Sequence, residues 1–289
     1  MIPPFGYKIP KTLQEACNLL WEAGGKAKVI AGGTDLVIGL RDGNQTPQCL
    51  IDITNIAELR RIDEKDGIVS VGAAVTHSEI ASSPLVKRFG KVLSDAASHI
   101  GSPQIRNLGT IGGNIIHASP AADTIPPLMI LDAFGRVVSK EGVKEIPLIQ
   151  LFKSPYQTHL MPHEILAQIS FPKLPSGIRS AFVRLAGREA MAIARVSVAL
   201  VLKMEEKKGR IEDIRISVGS VTPTPQRMSE VEAALKGRLP DEECLQGAAR
   251  KVSEGMIQQT GIRSSTSYKA PVVEALFVRA FKKALEGSA

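Results

Sequence analysis

The chain has 289 residues, of which 44% are hydrophobic and 22% are charged, the balance of an ordinary globular protein with room for two modest domains. No apolar run reaches the roughly 18 residues of a membrane-spanning helix, and residues 1–5 lack the basic-then-apolar layout of a signal peptide, so we expect a cytoplasmic protein without membrane insertion. The formal net charge is +7, but the basic residues are dispersed and aromatic residues make up only 4%, which argues against a nucleic-acid partner.

The first 55 residues predict a small unit of alternating helices and strands. Thr12 and Glu15 have the spacing of a helix capping box, and apolar residues follow at helical spacing until Gly24 and Gly25 end the helix. The pattern then predicts a short strand at 28–31, an apolar turn at 36–40 and a second strand at 49–53.

The middle of the chain has the pattern of hairpins and short helices. A β-hairpin is predicted over residues 59–72, with its turn at Asp66 and Gly67, and Thr76 with Glu79 repeats the capping-box spacing. The remaining elements of this part are a helix over 84–100, a glycine-rich stretch over 101–114, a helix over 120–131 and strands at 136–138 and 165–171.

The last third of the chain predicts a separate domain. Residues 172–177 contain two prolines and one glycine, which favours a linker. Three strands are predicted after it, at 181–185, 196–204 and 211–218, and three helices follow at 228–236, 241–258 and 267–286. A run of strands followed by a run of helices indicates an α+β domain.

Two glycine-rich segments are the strongest candidates for a binding site. Residues 30–36 follow a predicted strand and contain Gly32 and Gly33, and residues 109–114 contain Gly112 and Gly113. Glycine permits positive φ and close approach of a ligand, and successive backbone N–H groups in such turns hold pyrophosphates. The alternative is that both segments are ordinary tight turns. The Rossmann and P-loop fingerprints are absent, so a nucleotide bound here needs another fold.

The cysteines and histidines do not have the spacing of metal ligands. Cys17, Cys49 and Cys244 are far apart, so we expect no metal site and no iron–sulfur cluster in this chain. His159 and His163 are four residues apart, but a proline lies between them and disfavours the helix that would align them.

The other histidines divide by position. His77 falls within the second capping box and His99 on a predicted helix, so both are interpreted as structural or surface residues. His117 comes just after the second glycine-rich segment and is a candidate cofactor contact.

Longer stretches around the two glycine-rich segments resemble the FAD-binding subunits of the molybdenum hydroxylases, the family of the xanthine and carbon monoxide dehydrogenases. The similarity is carried by residues 31–36, 102–114 and 118–123, with a further match over 181–184 and at Arg188. It covers nearly the whole chain.

The resemblance implies which residues contact FAD, and none of them is implied to be catalytic. The first loop would consist of Val29, Ile30, Ala31, Gly32, Gly33, Thr34, Asp35 and Leu36, and the second of Thr110, Ile111, Gly112, Gly113 and Asn114. Asp123 matches an acidic contact, Ile100 an apolar or aromatic one, and Leu166 and Arg184 correspond to later contacts.

The resemblance also implies an α+β fold in two domains. A two-lobed FAD-binding domain of the vanillyl-alcohol-oxidase/MurB (PCMH) type would span residues 1–175, with lobes of about 1–55 and 56–175. A small α+β domain similar to the C-terminal domain of the carbon monoxide dehydrogenase flavoprotein, an antiparallel sheet with helices, would span 176–289.

The function implied by the resemblance is electron relay within a hetero-oligomer. FAD would be bound non-covalently, whereas molybdopterin and 2Fe–2S clusters would lie on a large and a small partner subunit. Electrons would pass from the clusters through FAD to NAD+, a quinone or another acceptor. Two alternatives remain: a free-standing flavin-dependent oxidoreductase of the same fold, and a non-enzymatic nucleotide-binding module.

Overall fold

The computed structural model describes residues 4–188 and 191–287. The outermost residues of the two predicted domain ranges, 1–3 and 288–289, therefore lie outside the described residues. Within the described part of the chain, no helix combines the length and the apolar character that crossing a bilayer requires.

The first lobe is a three-stranded parallel sheet in the order β1-β3-β2, with a helix packed on it. Its elements are β1 (Gly6–Lys8), α1 (Leu13–Glu22), β2 (Ala27–Ile30), α2 (Leu36–Arg41) and β3 (Cys49–Asp52). Helix α1 starts as predicted, because the Thr12 hydroxyl accepts a hydrogen bond from the Glu15 amide at 3.1 Å. The apolar turn predicted at 36–40 is wrong: the segment is helix α2, which begins where the Val37 amide bonds to the Gly33 carbonyl at 2.9 Å.

The second lobe is a five-stranded antiparallel sheet in the order β4-β5-β10-β6-β7. Its strands are β4 (Ile62–Lys65), β5 (Ile68–Gly72), β6 (Phe134–Ser139), β7 (Gly142–Pro147) and β10 (Ile165–Pro172), and β8 (Phe152–Ser154) with β9 (Gln157–Thr158) forms a separate hairpin. Its helices are α3 (His77–Ser82), α4 (Pro84–Phe89), α5 (Lys91–Ser98), α6 (Pro103–Leu108), α7 (Ile111–His117) and α8 (Ile125–Ile130).

The core of this lobe lies between one face of the sheet and the helices. Val71 of β5 and Phe171 of β10 point into it, whereas Ser70 and Ser170 alternate to the outer face, the period of two that a half-buried sheet requires. The capping box at Thr76 that starts α3 is confirmed.

Three of the predictions for this lobe need correction, two of them for helices. The helix predicted over 84–100 is divided at Gly90 into α4 and α5, where Gly90 leaves the helical conformation with a φ of −147° and a ψ of 44°. A Cβ at Gly90 would lie 2.9 Å from the Phe171 ring, so a larger residue would not fit there. The stretch predicted over 101–114 as a glycine-rich connection contains helix α6 and the first turn of α7. The helix predicted over 120–131 is shorter, since only α8 is helical there.

The last third of the chain has the predicted order of three strands and then three helices. An antiparallel sheet contains β11 (Arg179–Ala186), β12 (Ala194–Met204) and β13 (Ile211–Gly219), and the helices are α9 (Ser229–Leu235), α10 (Glu242–Thr260) and α11 (Thr266–Glu286). Phe277 and Phe281 of α11 are fully buried against one face of this sheet. The α+β fold class is confirmed.

The other face of the C-terminal sheet packs against the second lobe. Phe182 of β11 and Val201 of β12 belong to that lobe's core. At the edge of this contact, Asp132 accepts bonds from Arg215 at 2.8 Å and from Arg227 at 2.7 Å. The C-terminal domain is therefore fixed to the second lobe by apolar packing and by a bridged ion pair.

Candidate cofactor site

The first glycine-rich segment is a true loop between β2 and α2. Gly33 has a φ of +70°, a conformation that disfavours any side chain. A Cβ on Gly32 would overlap the carbonyl oxygen of Leu108, so Gly32 is needed for a close approach of two backbone segments. Glycine is thus required at position 33 by the backbone conformation and at position 32 by the lack of space for a side chain.

This loop carries a row of free hydrogen-bond donors. The backbone N–H groups of residues 31–36 have no hydrogen-bond partner among the described residues. Asp35, which precedes α2, makes no side-chain bond to the start of that helix. Consecutive unbonded N–H groups form a concave surface that favours an anion such as a pyrophosphate.

The second glycine-rich segment is not the loop that the sequence predicts. Thr110 is the N-cap of α7, and its hydroxyl accepts a bond from the Gly113 amide at 3.1 Å. The other amides at this helix start are also bonded: those of Ile111 and Gly112 to the carbonyls of Val75 and Ala73, and that of Asn114 to the Thr110 carbonyl. The backbone donors expected here for a pyrophosphate are therefore already used.

What this segment offers a ligand is side-chain donors. The Thr110 hydroxyl accepts from Gly113 and keeps its own O–H to donate. The Asn114 side-chain oxygen accepts from the Thr124 hydroxyl at 2.6 Å, and the Asn114 NH₂ has no partner in the described part of the chain. Gly112 is required for packing, because a Cβ there would lie 2.6 Å from the Cβ of Ala73.

The two segments meet at Gly109. Its carbonyl accepts a bond from the His77 amide at 3.0 Å, and a Cβ on Gly109 would lie 3.5 Å from the Thr34 hydroxyl oxygen. The His77 ring, 2% exposed, lies beside this junction, and its Nδ1 has no partner among the described residues. Burial, with a smaller contribution from the charge of Arg106, lowers the pKa of His77 to about 4. His77 is thus a neutral, buried residue, whereas the sequence had indicated only a structural or surface residue.

His117 lies beside the first loop. Its Nε2 is 3.6 Å from a carboxylate oxygen of Asp35, and its ring meets Tyr156 edge to face at 5.3 Å. The sequence had singled out His117 only by its position after the second segment. The structure thus brings a predicted loop residue and this histidine together.

Asp123 forms a buried ion pair with Arg184. Its Oδ2 accepts a bond from Arg184 Nη1 at 2.8 Å, and the two side chains are 6% and 8% exposed. Its other oxygen, Oδ1, has no partner among the described residues. Burial raises the pKa of Asp123 to about 6, although the charges of Arg184 and His99 oppose that shift.

The remaining predicted contacts differ in accessibility. Ile100 is half-buried, and its carbonyl accepts a bond from Arg106 at 2.9 Å. Leu166 is 3% exposed within the core of the second lobe, so its predicted contact with a cofactor stays a prediction. Val29 and Ile30 belong to β2, and Leu36 is the first residue of α2.

A cleft that the sequence did not reveal opens next to this site. It has a volume of about 350 Å³ and is lined by Pro120, Ala121, Tyr156, Ala194, Arg195, Ser220, Tyr268 and Lys269. Two cations and two tyrosines from separate parts of the chain meet there, and no local motif indicated it. Burial, helped by the charge of Arg263, lowers the pKa of Lys269.

Within the part of the chain that the structure describes, no group of three or more His, Cys, Asp or Glu side chains is arranged to hold a metal ion. The arrangement as a whole fits an extended anionic cofactor. It combines a row of free N–H donors, hydroxyl and amide donors, and a buried carboxylate oxygen that still lacks a hydrogen-bond donor.

Two family models match the chain. Residues 3–174 match the FAD binding domain in molybdopterin dehydrogenase, and residues 181–284 match the CO dehydrogenase flavoprotein C-terminal domain. The glyceraldehyde dehydrogenase medium chain of Sulfolobus acidocaldarius is 34% identical over 287 residues, which are 98% of this chain and 99% of the relative.

Solved structures agree with these matches. The carbon monoxide dehydrogenase from Hydrogenophaga pseudoflava which lacks the Mo-pyranopterin moiety of the molybdenum cofactor superposes with a TM-score of 0.91 at 32% identity, over 99% of both chains. Quinoline 2-oxidoreductase from Pseudomonas putida 86 superposes with a TM-score of 0.92 at 30% identity, also over 99% of both chains.

Proposed function

This chain belongs to the FAD-binding medium subunits of the molybdenum hydroxylase family, and we propose on that premise that it relays electrons from a partner's iron–sulfur clusters through FAD to a final acceptor. FAD is the cofactor of this family's first domain, and the chain is a subunit of an oxidoreductase. The flavin ring, when bound, supplies the redox chemistry, and the protein supplies binding, orientation and electrostatics.

The observation that carries the proposal is the row of free N–H groups at residues 31–36. They would hold the pyrophosphate, assisted by the Thr110 hydroxyl and the Asn114 amide, because a doubly charged anion prefers several fixed donors. The unpartnered oxygen of Asp123 would accept a bond from a ribityl hydroxyl, since a buried carboxylate oxygen without a donor is costly.

The partners in the proposal are a small iron–sulfur subunit and a large molybdopterin-binding subunit. Several relatives are named as medium chains, and one as a subunit of a dehydrogenase complex, which supports a hetero-oligomer. The net charge of +7 would help to steer an acidic partner surface. The free thiols of Cys17, Cys49 and Cys244 are consistent with the cytoplasmic location that we include in the proposal.

The acceptor in the proposal is NAD+ or a quinone that reaches the flavin through the cleft beside Pro120. The cleft's cations, Arg195 and Lys269, would suit a phosphate group. Its aromatic residues, Tyr156 and Tyr268, would suit a planar ring. The tyrosines would suit either acceptor, whereas the cations favour a dinucleotide, which carries phosphates, over a quinone. NAD+ is therefore the first acceptor to test.

The test uses the isolated chain and the co-expressed complex. The isolated chain should be yellow, release FAD on acid denaturation and show no flavin reduction by the substrate of the whole enzyme. Co-expression with the two neighbouring subunits should restore reduction. Rapid reduction in the isolated chain would support a free-standing flavoenzyme instead. A colourless protein that does not take up added FAD would support a module without redox activity.

A further inference from the structure

Arg184 connects the cofactor site to the C-terminal domain. It extends from β11, and its Nη1 donates to Asp123 Oδ2 at 2.8 Å and to the carbonyl of Ala192 at 3.2 Å. With 8% of its side chain exposed, the guanidinium is enclosed by these partners. The same nitrogen, Nη1, donates both bonds. The charge of Arg184 is therefore already paired with the Asp123 carboxylate before any cofactor binds.

The segment around Asp123 is held on both sides. The Pro120 carbonyl accepts a bond from the Ser220 amide of the C-terminal domain at 2.8 Å. On the other side, the Thr124 hydroxyl bonds to Asn114 of α7 at 2.6 Å. Asp123 therefore occupies a fixed position between the second glycine-rich segment and the C-terminal domain, and Arg184 fixes the direction of its carboxylate.

A buried ion pair of this kind is a poor way to gain stability. Apolar residues of similar volume often serve a fold as well or better, because two charges must be removed from water. The pair also leaves Asp123 Oδ1 without a donor among the residues that the structure describes, which a purely structural pair would avoid. Both points indicate that the carboxylate is kept for a ligand.

We propose that Arg184 is a positioning residue, which acts on FAD through Asp123 by directing the free Oδ1 toward a ribityl hydroxyl. This inference rests on the proposed function and changes one assignment within it. The resemblance implied a direct contact between Arg184 and FAD, whereas here the contact is made by Asp123. The C-terminal domain thereby contributes to cofactor binding through one guanidinium.

The experiment measures FAD affinity of the full chain by flavin fluorescence and the visible circular dichroism of the bound flavin. Arg184→Met and Asp123→Asn should each weaken binding about tenfold or more at pH 8, because each removes one partner of a buried charged pair. The double variant should bind FAD as well as whichever single variant binds it less tightly, since both substitutions act through one contact. Arg184→Lys should restore most of the affinity and the wild-type dichroism.

The pH profile separates positioning from a general structural role. In the wild type, FAD affinity should fall as the pH drops through about 6, the pKa to which burial raises Asp123. In Arg184→Met that inflection should move to higher pH, because the opposing cation is gone. The control is Arg215→Met, which removes another contact between the domains, the bond to Asp132 at 2.8 Å, and should leave FAD affinity and its pH profile unchanged.

Each other outcome has a definite meaning. Additive losses in the double variant would show that Arg184 contacts FAD directly and would overturn the proposal. An equal loss in Arg215→Met would show that any loosening of the domain contact suffices, with the same consequence. Failure of the wild-type chain to bind FAD would instead overturn the proposed function.

Discussion

Residues 31–36 and residues 110–114 each contain a Gly-Gly pair, but they differ in how their backbone donors are used. The N–H groups of the first segment have no partner among the described residues, whereas those of residues 111–114 are all bonded to carbonyls or to the Thr110 hydroxyl. The first segment can thus bind an anion with its backbone. The first segment packs against Leu108 and Gly109, which directly precede the second segment. The second segment's contribution to a ligand would come from side chains.

The glycines of the two segments differ accordingly. Gly33 is needed for its φ of +70°, whereas Gly32 and Gly112 are needed because another segment approaches closely. Gly113 is helical and meets only the Thr110 hydroxyl, at 3.0 Å from an added Cβ. The two Gly-Gly pairs are therefore identical in sequence, but the structural requirement for glycine differs from one position to the next.

The largest expected effect belongs to Gly32→Ala. An added Cβ would overlap the Leu108 carbonyl, and because both sides of the contact are backbone, neither can rotate away. We expect a loss of about 3 kcal/mol of unfolding free energy, the upper range for overpacking, together with loss of FAD binding. Chemical denaturation and flavin fluorescence measure the two.

The matched control is Gly247→Ala. Gly247 lies in α10 with no atom within 4 Å of an added Cβ, so the change should stabilise the chain by about 0.5–1 kcal/mol and leave FAD binding alone. A Gly32→Ala variant with wild-type stability and affinity would refute the close contact between the two segments.

The next largest effect concerns His77 at the junction of the segments. Because its pKa is lowered from 6.5 to about 4, its stabilising contribution is complete above pH 6.5 and is lost as the pH falls toward 4. The loss should reach about 3 kcal/mol. In His77→Gln, the unfolding free energy should decrease by about 3 kcal/mol less between pH 6.5 and pH 4 than in the wild type. Unfolding free energy measured as a function of pH tests this.

The contribution of Asp123 to stability changes with pH in the opposite direction to that of His77. The effect of His77 must therefore be measured as the difference between His77→Gln and the wild type. The pKa of Asp123 is raised to about 6, and its contribution is therefore complete below pH 3.8 and is lost as the pH rises through 6. The exposed His159→Gln is the control and should leave the curve unchanged. An unaltered slope in His77→Gln would contradict a buried, neutral His77.

Local signals in the sequence predicted much of the fold and the neighbourhood of the site. Stretches rich in apolar and β-branched residues located β10, β12 and β13, and the capping residues located α1 and α3. Helices α6 and α7 also have local signals in the sequence, since Ser102 precedes Pro103 and Thr110 is a favoured N-cap, although only a glycine-rich stretch was predicted there.

Other features depend on residues far apart in sequence. Gly90, which separates α4 from α5, packs closely against the Phe171 ring, and the pair of Asp123 with Arg184 joins positions 61 residues apart. The cleft beside Pro120 draws on both domains. Periodicity and local motifs carry no information about such contacts, so only the structure reveals them.

A smaller effect compares the two neighbouring glycines of the second segment. Gly112→Ala should cost about 2 kcal/mol, because its Cβ would meet Ala73. Gly113→Ala should stay within about 0.5 kcal/mol of the wild type, since the gain in helix propensity offsets a small movement of the Thr110 hydroxyl. Thermal denaturation measures both. Equal losses would contradict the assignment of Gly112 to packing.

The smallest expected effect tests whether the second segment donates to the cofactor at all. Thr110→Ala and Thr12→Ala each remove an N-cap hydroxyl and should each cost about 1 kcal/mol of unfolding free energy. Only Thr110→Ala should also weaken FAD binding, by about tenfold, because of the two hydroxyls only that of Thr110 lies in a segment proposed to contact the pyrophosphate. Thr110→Ser should keep both properties. If Thr110→Ala binds FAD as tightly as Thr12→Ala, the second segment supports the first without donating to the pyrophosphate, and the anion is held by residues 31–36 and Asn114.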